Sequence, residues 1–218
     1  MFNLGSSTVW NLWLAFIPMV LAHVVVAIYG AYKRGPSPML LASLIFMAVL
    51  WLAWLPNTCY LLTEWRHLLE IVDKRNLGQL SIGRPELYLI IGKLAMFYLW
   101  YSLSGVLAFV LAIRPIERIL RENRIPFWVC AIPLFLMLSV GVYLGLVLRF
   151  NSWDLGHRPG HVFASVLNIA ERPLLLRSVL FFALMLWGLY EAVDLWMDGI
   201  AERWMKLRRR WRGERVSG

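Results

Sequence analysis

The stretch FWVCAIPLFLMLSVGVYLGLVLRFNSWD, residues 127–154, decides how this chain is read. From Phe127 to Leu148 it contains no charged side chain; Arg149, Asn151, Ser152, Trp153 and Asp154 then follow almost at once. An α-helix needs about 17–25 predominantly apolar residues to cross a bilayer. The run therefore predicts a transmembrane helix with hydrogen-bonding side chains crowded at its end.

Four more blocks have the same character: Thr8–Tyr32, Met39–Leu55 with an extension toward Leu62, Leu87–Ile113 and Leu174–Leu195. The composition agrees, with 60% hydrophobic and 16% charged residues and a mean hydropathy of +0.63. Ordinary soluble domains are roughly 45–50% apolar and about 25% charged. The blocks leave no room for a large soluble domain. The expectation is an all-α membrane protein: about five transmembrane helices and two short interfacial helices on the outer face. Residues 1–202 form the transmembrane domain and residues 203–218 a basic cytoplasmic tail. No linker, low-complexity segment or internal repeat stands out. The first block is preceded by no Lys or Arg, is long for a signal-peptide core and is followed by Lys33 and Arg34. It reads as an uncleaved span.

Alternate loops share a side of the membrane. Summed that way, the 22 Lys and Arg divide into thirteen on one side and eight on the other, with Lys93 inside the third block. The positive-inside rule then puts the N-terminus outside and the C-terminus in the cytoplasm of a bacterial inner membrane. The tail, ERWMKLRRRWRGER (202–215), interleaves Trp204 and Trp211 with basic residues and accounts for much of the net charge of +9. Anionic lipid headgroups are its expected partner, at about 1 kcal/mol per basic residue near the surface. Nucleic acid is not expected, because no folded binding module accompanies the charge. A homo-oligomer or a membrane partner stays open. Cys59 and Cys130 fall near opposite faces, too far apart for a disulfide.

Spans two and four run in the same direction, so their polar ends meet on the outer side. Span two ends in WLAWLPNTCYLLTEWRHL, residues 51–68. Pro56 disturbs the helix behind it, and Asn57 or Thr58 is suited to cap a new one. Glu64, His67, Glu70 and Lys74 recur at helical spacing on one face. Leu61, Trp65, Leu68, Leu69 and Val72 form the other, as in an interfacial helix. On span four, Gly141 and Gly145 are placed to let a neighbouring helix come close. Residues 161–172 form a second short amphipathic stretch, stopped by Pro173.

LPNTCYLLTEWRHL together with GVYLGLVLRFNSWDL resembles an uncharacterised bacterial integral-membrane family, one of the domain-of-unknown-function families. Its pattern is L-P-N-A-P-Y followed by an acidic residue and a His, and later Y-L-G-R-x-x-R-W-N-S-W-D. The resemblance implies that Pro56, Asn57, Tyr60, His67, Arg149, Asn151, Ser152, Trp153 and Asp154 hold family positions. Thr58, Cys59, Glu64, Leu146 and Phe150 depart from it. The family brings no established activity, and no cofactor is implied.

Three kinds of chemistry compete with a purely structural cluster. Glu64 and His67 can be drawn as a metal site with an open position that Asp154, His157 and His161 could complete, although His157 and His161 flank a Pro-Gly break that argues against helical ligand spacing. His67 oriented by Glu64, with Asp154 as a second carboxylate, suits acid–base catalysis on a lipid or lipid-linked substrate. Asn57, Tyr60, Arg149, Asn151, Ser152 and Trp153 would bind, with Arg149 as an anion clamp. Lys93, if turned inward, would line the vestibule of a small-solute transporter or binding protein. The structural alternative needs only that polar groups near hydrocarbon find partners. Elsewhere, His23 is expected to bond between helices, and Glu191, Asp194 and Asp198 to pair with the basic loop and tail.

Overall fold

A computed structural model describes residues 5–74, 79, 84–150 and 157–211, apart from the side chains of 5–7, 66 and 210. Among the described residues eight helices follow one another: α1 (Gly5–Arg34), α2 (Pro38–Trp54), α3 (Pro56–Thr63), α4 (Trp65–Lys74), α5 (Pro85–Glu122), α6 (Phe127–Leu146), α7 (Pro159–Glu171) and α8 (Pro173–Trp211). Among the described residues five runs are long and apolar enough to cross a membrane; α2, α3 and α4 together make up the second. The protein is an all-α, multi-pass membrane protein. The two short amphipathic segments of the sequence are present as α4 and α7.

Local chemistry sets the boundaries. Ser37 caps α2 by accepting from the Leu40 N–H at 3.2 Å, with Pro38 at the first helical position. Arg124 ends α5 in a left-handed turn (φ 58°), with Ile125 N–H returning to the Leu120 carbonyl at 2.9 Å. At Pro56 the chain barely breaks: Leu55 keeps right-handed helical angles, and α2 runs into α3 through a kink.

Helix α5 is central and packs against α1, α3, α4, α6 and α8. The core gathers Trp51, Leu55, Cys59, Phe109, Ile113, Phe135, Leu186 and Tyr190. Phe135 and Tyr190 lie 5.9 Å apart, centroid to centroid, inside an aromatic cluster that also includes Phe109, Phe127 and Trp187. Trp13, Phe46, Leu89, Trp100, Trp128 and Phe181 are exposed. Apolar surface on that scale would be a liability in water and is at home in hydrocarbon. Side chains also tie the helices together through backbone carbonyls. Trp51 donates to Ala112 at 2.9 Å, Ser102 to Leu61 at 3.2 Å and Ser139 to Val179 at 2.7 Å.

Candidate functional site

The motif helix α3 sits in a slot made by glycines on two neighbours. A Cβ added at Gly105 of α5 would lie 2.5 Å from Leu61 Cβ, and one at Gly141 of α6 only 2.7 Å from Pro56 Cγ. One at Gly145 would collide with the Tyr60 phenol. Spans two and four are therefore direct neighbours, and Gly141 and Gly145 are what let α3 approach.

The polar side chains of α3 turn toward the backbone that Pro56 disturbs. Asn57 Nδ2 donates to the Trp54 carbonyl at 2.9 Å, and Thr58 Oγ1 to that of Leu55 at 2.8 Å. Thr63 Oγ1 repeats the pattern on Tyr60 at 2.8 Å. Neither Asn57 nor Thr58 is the N-cap expected from the sequence; that position is Leu55, with no side-chain cap. The expectation fails because Leu55 keeps right-handed helical angles ahead of Pro56, so no fresh N-terminus opens. The Tyr60 hydroxyl donates to the Gly141 carbonyl at 3.4 Å.

Beyond α3 the charged ladder of α4 is present. His67 Nε2 lies 3.7 Å from Glu64 and its Nδ1 3.5 Å from Glu70, whose other oxygen accepts from Lys74 at 2.8 Å. Glu64 is the more enclosed carboxylate, with its side chain 20% exposed against 47% for Glu70. Asn11 of α1 donates to Glu64 at 3.4 Å. The Tyr101 hydroxyl of α5 donates to the Thr8 carbonyl of α1 at 3.3 Å, and Tyr98 and Tyr101 lie close enough to feel the Glu64 charge. Three helices thus surround one carboxylate that has a half-exposed imidazole at its mouth. Leu68 is buried, as its apolar face predicts, but Leu69 is exposed.

Arg149 is exposed and follows α6 in a left-handed conformation, φ 59°. The turn it makes brings Phe150 N–H back to the Leu144 carbonyl at 3.0 Å. Asn151, Ser152, Trp153 and Asp154 lie outside the described residues. Among the described residues, no three His, Cys, Asp or Glu side chains are placed to hold a metal ion. His157 precedes α7 and His161 lies on it, so the Pro-Gly segment does separate them. Lys93 is exposed on α5 rather than turned into the bundle. His23 bonds the Met19 carbonyl of its own helix at 2.8 Å, not a neighbouring helix.

The family model now meets the geometry. The description "Protein of unknown function (DUF1361)" matches residues 10–188. The chain belongs to this family. The DUF1361 match takes in α3, α4, α6 and the slot between them, and stops short of the last part of α8. No curated protein and no solved structure matches the chain.

A second polar cluster lies at the opposite end of the bundle, and sequence reasoning missed its Glu117 and Tyr190. Glu117 and Asp194 are buried. Arg121 donates to Glu117 at 2.9 Å through Nε, and the Tyr190 hydroxyl donates to the other oxygen of Glu117. Arg114 pairs with Asp194, Nε to Oδ1 at 2.8 Å, and also with Asp198. The approach to Asp194 Oδ1 is off hydrogen-bond geometry, so that oxygen is charge-paired but not hydrogen-bonded. The expected pairing of Asp194 and Asp198 with the basic loop is realised; Glu191 instead accepts from Trp187 at 3.0 Å. Arg114, Glu117 and Arg121 are spaced at helical intervals, as are Tyr190, Asp194 and Asp198. That pair of patterns was the available signal.

Proposed function

We propose that this DUF1361 chain is a structural or accessory component of a bacterial cytoplasmic membrane, with its N-terminus outside and its C-terminus in the cytoplasm. Its motif builds a second span held rigidly between α5 and α6, and that scaffold, rather than the chemistry of Glu64 or His67, is what meets a membrane partner. The observation that carries this is the direction of the motif side chains. Asn57, Thr58 and Tyr60 donate to backbone carbonyls, and Pro56 and Tyr60 fill space left by glycines. Groups used in this way specify a fold. The basic end of α8 meets anionic lipid headgroups on the cytoplasmic side.

A second reading rests on Glu64. A mostly enclosed carboxylate beside a half-exposed histidine suits acid–base chemistry on a lipid or lipid-linked substrate. Glu64→Gln and His67→Gln separate the two readings. Each keeps shape while removing proton transfer. In the accessory role, a cellular phenotype of deletion is restored by both variants in proportion to the folded protein in the membrane. Loss of complementation at an unchanged protein level would replace that role with the enzymatic one.

A further inference from the structure

Helix α8 is 39 residues long, about 58 Å at 1.5 Å per residue, against about 30 Å of hydrocarbon. Its last contacts with α5 are the pairs that Asp194 and Asp198 make with Arg114. Past Asp198 every side chain described, through Trp211, is exposed. Past Asp198 the helix draws no stability from packing on the bundle, and most helical stability in proteins comes from such packing, so a surface that covers this segment would stabilise it.

The exposed segment is patterned. Ile200, Trp204, Leu207 and Trp211 recur four, three and four residues apart on one stripe, and Trp204, Leu207 and Trp211 with Arg208 line one shallow concavity. Arg203 and Arg208 flank the stripe, while Lys206 and Arg209 lie behind it. A second copy of this helix would set these cations against like charges. An anionic bilayer surface complements them, and the chain already spans that bilayer, so the surface is held at high effective concentration.

A straight α8 would carry Trp211 away from the membrane. Gly199 stands where the helix leaves the bundle, and a Cβ there would meet nothing within 4 Å. Packing gives no reason for glycine at this place. Gly30, Gly92 and Gly188 are equally open, but only Gly199 is followed, among the described residues, by exposed side chains alone. Mid-helix glycine weakens a helix by about 1 kcal/mol relative to Ala.

We infer that Gly199 is a hinge at which residues 200–211 bend onto the anionic leaflet, burying the Ile200–Trp204–Leu207–Trp211 stripe in the interface. This rests on the lipid contact proposed above for the end of α8 and gives it a mechanism. The test uses full-length protein with Cys130→Ser and a nitroxide label at Leu207→Cys or, behind the stripe, at Met205→Cys. It is reconstituted in vesicles of phosphatidylcholine alone or mixed equally with phosphatidylglycerol. In the anionic vesicles the label at position 207 is shielded from a water-soluble nickel relaxant, and the label at 205 stays accessible. In neutral vesicles both are accessible. Gly199→Ala lowers the ratio of shielded to unshielded label about fivefold. Equal nickel access at 207 in both vesicle types would overturn the lipid contact itself. Unchanged shielding in Gly199→Ala would overturn the hinge and leave the contact standing. Dipolar broadening between labels at 207 would make a second copy the partner and overturn both.

Discussion

The phenol of Tyr60 fills the space that a side chain at position 145 would occupy, so Tyr60 and Gly145 specify each other across α3 and α6. Gly145→Ala places a methyl where Tyr60 stands, with the ring carbon Cζ only 2.5 Å from the ideal Cβ. Overpacking of this kind costs about 1–3 kcal/mol. The variant is expected to lose thermal stability in detergent, and Tyr60→Leu in the same chain to recover part of the loss. An unchanged melting temperature for Gly145→Ala would mean that the slot is looser than described.

Arg149 allows its backbone and side-chain roles to be separated. A left-handed residue other than glycine carries a penalty of roughly 1–2 kcal/mol, and Arg149 has φ 59°. Arg149→Gly is expected to hold or raise stability while removing the guanidinium; Arg149→Ala removes the guanidinium and keeps the strain. If both variants fail to complement although Arg149→Gly melts at or above the native temperature, the cation itself is required. If Arg149→Gly complements fully, position 149 matters for its turn.

The Arg114–Asp194 cluster makes the steepest stability prediction. Removing one partner of a buried ion pair strands the other, at about 3–5 kcal/mol. Arg114→Ala does this to Asp194, whose side chain is 8% exposed. Arg114→Met with Asp194→Leu removes both charges and is expected to restore most of the loss. Tyr190→Phe deletes one donor to buried Glu117 and should cost about 1–3 kcal/mol. Thermal denaturation in detergent ranks the variants. A double variant no better than Arg114→Ala would contradict the pairing.

The spans were legible because hydrocarbon imposes a length and a composition that soluble helices do not share. Phe127–Leu148 was expected and Phe127–Leu146 is observed. The glycine spacing at 141 and 145 pointed to a close neighbour, but only the structure identifies that neighbour as the motif helix itself. The cap expected at Asn57 or Thr58 was misjudged because a proline inside a packed span kinks the helix without ending it. The boundary expected at residue 203 has no counterpart in secondary structure, since α8 continues to Trp211. Composition changes there; backbone hydrogen bonding does not. Glu117 and Tyr190 were overlooked because a lone carboxylate and a tyrosine gain meaning only when two distant helices meet.

The proposed outer face and lipid-facing tail require the two ends of this bundle to lie on opposite sides of one membrane. Cys59 is buried and cannot report on this; exposed Lys74 and Arg208 can, each replaced by Cys in a Cys130→Ser background. A membrane-impermeant maleimide is predicted to label Lys74→Cys in intact cells and Arg208→Cys only after permeabilisation. Labelling of both positions from the same side would contradict the five-span account, and labelling with the sides exchanged would invert its orientation.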